Sequence, residues 1–143
     1  MRVHHTSVTV QGDEHIEISD VTKIVRTAVH ESGVRSGIAI ANALHTTCAL
    51  FINEFQAALV EDLKAMVGRL VQPDAAGHRH DDPRYSDCER GNACAHLRAA
   101  LLGRSIAVGL NNGELTLGRF QSVIFAELDG PRKREITVQL MGE

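Results

Sequence analysis

GIAIANALHTTCALFIN, residues 37–53, is the stretch on which the fold turns. Gly37–Ala43 and Cys48–Asn53 are runs of small and branched apolar residues, best read as two buried strands. Between them sits a polar joint, Leu44-His45-Thr46-Thr47, and Asn53-Glu54 ends the second run. Polar groups set beside buried strands must find partners, so these residues either satisfy one another or line a site.

Upstream, Val3, Thr6, Val8 and Val10 mark an opening strand, and residues 15–18 a short second one after the Gln11-Gly12-Asp13 turn. Ser19 and Asp20 can cap a helix whose apolar face is Val21, Ile24, Val25, Ala28 and Val29, with Gly33 as its stop. Downstream, Val60, Leu63, Val67, Leu70 and Val71 define a second helical face, which Pro73 ends. Residues 73–92 have no apolar periodicity; a loop of such length inside a compact domain is usually functional. Residues 93–102 resume as a short helix closed by Gly103. The rest, 105–110, 114–117, 120–128 and 135–141, alternates with turns at Asn111-Asn112-Gly113 and Asp129-Gly130-Pro131, and reads as an antiparallel meander. The expected class is α+β, with residues 1–143 forming one domain.

Composition narrows the function. The chain has 143 residues, 43% apolar and 23% charged, with net charge −3 from 15 basic and 18 acidic side chains. The basic footprint of a nucleic-acid binder is absent, and four Phe, one Tyr and no Trp offer few stacking platforms for bases. No apolar stretch approaches the roughly 20 residues of a transmembrane helix, and the first residues hold no signal-peptide core. No nucleic acid, no membrane and a cytoplasmic location are the expectations. Three cysteines, Cys48, Cys88 and Cys94, make an odd count that does not suggest a disulfide framework.

Histidine stands out, with eight in the chain. His45, His80 and His96 come from three separate elements, with Asp81, Asp87 and Glu89 close in sequence. Neutral imidazoles suit a divalent transition metal, Zn or another, with an open position; the alternatives are a satisfied core histidine at 45 and a solvated His-rich loop, with His78 its clearest member. A Cys94/His96 nucleophile is a minor reading. Asp129-Gly130-Pro131-Arg132, followed by Lys133 and Arg134, is either a solvated hairpin tip or a place where a fixed Arg binds phosphate bidentately. Gln121 and Glu127 lie six apart on one expected strand, hence on one face, which makes Glu127 a candidate partner or acid/base group for the histidines.

Read together, His45-Thr46-Thr47-Cys48 with Asn53-Glu54, Arg79-His80-Asp81, Asn92-Ala93 leading to Ala95-His96-Leu97-Arg98-Ala99, Leu117-Gly118-Arg119-Phe120-Gln121, and Asp129-Gly130-Pro131-Arg132 closely resemble the YjbQ-like family, also called uncharacterised protein family 47. The resemblance spans nearly the whole chain in order and register. It implies an α+β subunit built on a β-sandwich with flanking helices, a homotrimer around a threefold axis, and polar pockets holding the histidines. It also implies a secondary thiamine-phosphate synthase, joining a hydroxymethylpyrimidine diphosphate to a thiazole phosphate with release of pyrophosphate. Carried over residue by residue, His45, His80 and His96 match the family's histidine positions. Asn53, Glu54, Asn92, Gln121, Glu127 and Arg132 match its polar positions, and Phe120 stands where the family often has Trp.

The enzyme reading thus gives His45, His80 and His96 an ion, Glu54 or Glu127 the protons, and Thr46, Asn53, Asn92, Gln121 and Arg132 the phosphorylated substrate. A pyrophosphate leaving group calls for Mg²⁺ on carboxylates, whereas imidazoles prefer softer ions. The alternatives are a trimer that binds metal or a small ligand without turnover, and a metal-assisted hydrolase.

Overall fold

The computed structural model describes residues 1–73 and 76–143. In chain order it contains β1 (Arg2–Gln11), β2 (Glu17–Asp20), α1 (Thr22–Ser32), β3 (Gly37–Ala43), β4 (Cys48–Asn53), α2 (Ala57–Leu70), a 3₁₀ turn (Arg79–Asp81), α3 (Ala93–Leu102), β5 (Ser105–Asn111), β6 (Glu114–Leu115), β7 (Ser122–Glu127) and β8 (Lys133–Gly142). The α+β class, both strands of the 37–53 stretch and all three helices are as expected. The cap position of α1 is Val21, one residue beyond the expected Ser19 and Asp20, and no side chain caps from it; Asp20 Oδ1 still accepts from the Thr22 N–H at 2.9 Å and the Thr22 hydroxyl at 2.6 Å. Gly33, at φ 68°, closes the same helix in the left-handed region that glycine adopts without penalty.

Two antiparallel sheets carry the fold, one in the order β1-β8-β3-β5-β6 and the other β2-β7-β4. The three-stranded sheet is the middle layer. Its Cys48, Leu50, Val123 and Phe125 face the five-stranded sheet and α1, sharing a core with Ala39, Val108 and Val138. Its Ala49, Ile124 and Ala126 face the other way, against Val60 and Val67 of α2 and Ala95 and Ala99 of α3. Burial on both faces is why β4 and β7 read as continuous apolar runs, while β1 and β8 in the outer sheet alternate.

The expected C-terminal meander is not formed. β5 and β6 do make a hairpin, with Asn112 at φ 54° and Gly113 at φ 81° in its turn. β7, however, crosses into the middle sheet between β2 and β4, and β8 returns to lie between β1 and β3. β1 finds along β8 a ten-residue partner, from Arg2 opposite Gly142 to Gln11 opposite Lys133. That long ladder outweighs the local preference for pairing with the preceding strand.

Residues 73–92, expected to be structureless, contain the 3₁₀ turn and then lead into α3. Asp81 Oδ1 accepts from the Ala93 N–H at 3.0 Å, tying the turn to the first residue of α3 and fixing His80 beside it. From the end of α3 the chain passes between β3 and β4. Ala43 N–H donates to the Arg104 carbonyl at 2.9 Å, and Leu50 N–H donates to the Gly103 carbonyl at 3.1 Å.

Candidate functional site

Four segments meet at one end of the middle sheet: the 44–47 joint, the segment 88–92 entering α3, the β7–β8 turn and the start of β8. They line a cleft of about 350 Å³ that includes His45, Thr46, Asn92, His96 and three arginines, Arg90, Arg132 and Arg134.

Arg134 is the organising residue. Along β8 the buried positions are Arg134, Ile136, Val138 and Leu140, so a guanidinium occupies a core position and is only 2% exposed. Such a charge requires partners. Its Nε donates to Glu127 Oε1 at 2.7 Å and its Nη2 to Glu127 Oε2 at 2.6 Å and to the Thr47 hydroxyl at 2.8 Å. Glu127 Oε2 also accepts the N–H groups of Leu128 (2.9 Å) and Asp129 (3.0 Å). Burial alone would lower the Arg134 pKa; the hydrogen bond and charge of Glu127 outweigh it and hold the guanidinium firmly protonated.

Asp129 forms a second knot, its side chain 5% exposed. Arg90 Nε donates to its Oδ2 at 3.0 Å and the Asn92 amide donates to the same oxygen at 2.9 Å. Burial would raise this carboxyl, but those two bonds prevail and hold it below the usual range. Arg132 reaches the same oxygen at 3.6 Å, with a side chain 40% exposed. Two carboxylates thus face three guanidiniums, and the cleft keeps a positive surplus in a chain whose net charge is −3.

The histidines sit at the mouth. The rings of His80 and His96 lie 4.7 Å apart, centroid to centroid, tilted by 57°. His45 Nε2 accepts the Glu135 N–H at 2.9 Å, so its neutral ring carries the proton on Nδ1. Burial, then the charges of Arg134 and Arg132, lower the His45 pKa; burial, then the neighbouring His80, lower that of His96. Both rings are therefore neutral at pH 7. Each takes a proton less readily folded than unfolded, so the stability tied to them is complete above the ordinary histidine value of 6.5 and declines as the pH falls below it. His80→Ala is expected to raise the His96 pKa toward that value, measured by NMR titration of the ring protons.

The residues nominated from sequence divide accordingly. His45, Thr46, Asn92, His96 and Arg132 line the cleft, and His80 touches it through His96. Glu127 stands directly behind, committed through both oxygens to Arg134 and two backbone N–H groups, which makes it a positioning residue rather than a proton carrier. Asn53, Glu54 and Gln121 are not brought there. Asn53 pairs with Ser122 at the far end of β4 and β7 from the Cys48–Glu127 pair, roughly 17 Å away at about 3.3 Å per residue. Asn53 Oδ1 accepts the Glu54 N–H at 2.8 Å, and Gln121 Oε1 accepts the Gly118 N–H at 2.8 Å. The inference that Gln121 and Glu127 share a face fails because β7 begins only at Ser122, leaving Gln121 in the preceding turn.

Sequence reasoning missed Arg90, Asp129 and Arg134. Arg134 was legible: it continues the inward parity of Ile136, Val138 and Leu140, so the run read either as a solvated tip or as the place of a fixed Arg holds one buried guanidinium flanked by more accessible cations. Cys94 pairs with neither His96 nor a metal set; its sulfur lies 3.5 Å from His78 Nε2. Among the described residues no three His, Cys, Asp or Glu side chains are gathered as metal ligands. With His45 accepting from backbone, the donors in this arrangement do not fit a three-histidine ion.

Gly130 makes the turn. A Cβ there would stand 2.7 Å from Glu127 Cγ and press on the Glu14 carbonyl. Gly130→Ala is expected to cost about 1–3 kcal/mol through displacement of Glu127, read as a lower denaturant midpoint.

A two-sheet α+β fold with an arginine- and histidine-lined cleft at one sheet end defines the class of protein. The YjbQ-like profile (UPF0047 protein YjbQ-like) matches residues 6–143, and the chain belongs to that family. A UPF0047 protein of Methanothermobacter thermautotrophicus is 39% identical over 144 residues, covering 100% of this chain and 95% of the relative. The UPF0047 protein YugU of Bacillus subtilis is 34% identical, covering 95% and 98%. Among solved structures, a YbjQ-like protein of Sulfolobus solfataricus superposes with a TM-score of 0.90 at 32% identity over 99% of both chains. No helix among the described residues is long and apolar enough to cross a membrane.

Proposed function

We propose that the protein binds and turns over a phosphorylated small molecule in the Arg90–Arg132–Arg134 cleft, and that the reaction is the one the family resemblance implies, thiamine-phosphate synthesis. One observation carries this reading: three guanidiniums, two of them aimed by buried carboxylates, line one cleft beside two neutral imidazoles. In the joining step the pyrimidine methylene carbon loses its bond to the diphosphate oxygen, whose electron pair leaves with pyrophosphate. The thiazole nitrogen lone pair forms the new C–N bond. Negative charge gathers on the departing oxygen, and fixed cations are what lower the cost of that transition state. Arg132, held only by the 3.6 Å contact among the described residues, has donors to offer phosphate; Arg90 and Arg134 supply the field behind it.

The reading routes no step through a resident ion. It includes the homotrimer that the resemblance implies and the cytoplasmic location expected from the sequence, and leaves Asn53, Glu54 and Gln121 outside this cleft.

The test is single-turnover formation of thiamine monophosphate from the two phosphorylated precursors, on untagged protein of measured metal content, beside His96→Ala and Arg132→Ala. Product matching the sites, and lost in both variants, supports the synthase. Inorganic phosphate and pyrophosphate that bind without turnover would leave a binding protein, and no binding of either would sink the phosphate site itself.

A further inference from the structure

A second cleft, of about 410 Å³, adjoins the cationic one and shares His45, Thr46 and His96 with it. That volume lies within the ~300–1,000 Å³ range of small-ligand sites. Its remaining lining differs in kind. The last turns of α3 present Ala99 and Ala100, Gly103 follows without a side chain, and Cys48 completes the wall. Cys48 is fully buried and burial pushes its thiol up to about 11, so it backs the cleft as part of the core and offers no nucleophile. Small side chains at 99, 100 and 103 are what leave the space open. Arg104 stands at the rim, where its Nη1 donates to Asn42 Oδ1 at 3.1 Å.

A molecule spanning both clefts passes the His45–His96 pair with an anion on one side and a compact uncharged portion on the other. We infer that the second cleft is the subsite for the organic body of a phosphate ester, and that Ala100 sets the size of body admitted. The inference rests on the phosphate reading of the first cleft and adds to it the ligand's other half. The shared histidines make the two clefts one continuous site, and the change from guanidinium to methyl lining matches the change from phosphate to body.

The test compares inorganic phosphate with phenyl phosphate by calorimetry on the full chain, wild type and Ala100→Leu. Ala100 is exposed on α3 and leucine is a good helix former, so the variant is expected to melt as the wild type does. Wild type should bind phenyl phosphate at least about tenfold tighter than inorganic phosphate, the gain from burying an aromatic ring. Ala100→Leu should lose that excess and keep its affinity for inorganic phosphate. Equal affinities in wild type, or a variant that keeps the aryl preference, would overturn the body subsite while the phosphate reading stands. Wild type that binds neither inorganic phosphate nor phenyl phosphate would overturn both.

Discussion

Glu127→Ala is expected to remove about 3–5 kcal/mol of folding stability, the usual cost of stripping one partner from a buried ion pair. Against a total of about 5–15 kcal/mol for such a domain, that is a loss of order 10 °C in melting temperature. Glu127 and Arg134 are 3% and 2% exposed and joined by two bonds of 2.6 and 2.7 Å, so water cannot replace the lost carboxylate. The same change leaves the Asp129 N–H without its acceptor and the Leu128 N–H with the Thr47 carbonyl alone, at the point where the chain enters the Gly130–Pro131 turn. Replacing both partners, as in Glu127→Leu with Arg134→Met, is expected to cost less than either single change to alanine, because no buried charge remains. Thermal melts of the four proteins check this. Singles that melt within 2 or 3 °C of wild type would show that the pair does not organise the site.

Arg132→Ala is expected to weaken phosphate binding by about ten- to a hundredfold with no change in melting temperature. Hydrogen bonds to charged groups contribute about 1.5–3 kcal/mol, which corresponds to that range. The residue is half-exposed and reaches Asp129 only at 3.6 Å, so folding does not depend on it. Arg90→Ala should fall between, since its guanidinium is already engaged by Asp129 Oδ2 and the Asp129 carbonyl. Because Arg132 faces solvent, its contribution should shrink as salt rises, whereas the buried Arg134–Glu127 pair should scarcely respond. Calorimetric titration with pyrophosphate at two salt concentrations measures both effects. An Arg132→Ala protein with wild-type affinity would move the phosphate away from the β7–β8 turn.

His45, His96, Thr46, Asn92 and Arg132 were visible in the sequence because polar residues interrupt apolar runs or open a helix there, and the motif resemblance added to them. Asn53 and Gln121 carry the same polar signal, yet local contacts account for them: the Asn53 side-chain Oδ1 accepts the Glu54 N–H, and Gln121 Oε1 closes its own turn on the Gly118 N–H. A sequence position does not say which end of a strand meets the site.

The sequence by itself determined the secondary elements, since helix and strand periods, the Gly33 and Gly103 stops and the Asn112-Gly113 turn are all local properties of a few neighbouring residues. Even the burial of Arg134 was implicit in the alternation of β8. Only the tertiary structure decided which strands pair. The return of β8 to the space between β1 and β3, and the crossing of β7 into the middle sheet, depend on ladders between residues far apart in the chain, from Asn53 with Ser122 to Arg2 with Gly142. Those pairings bring Glu127 within 3 Å of Arg134 and gather Arg90, Asp129 and the histidines at one sheet end. A charge pattern along the chain cannot state them, because electrostatic partners are chosen by distance in space.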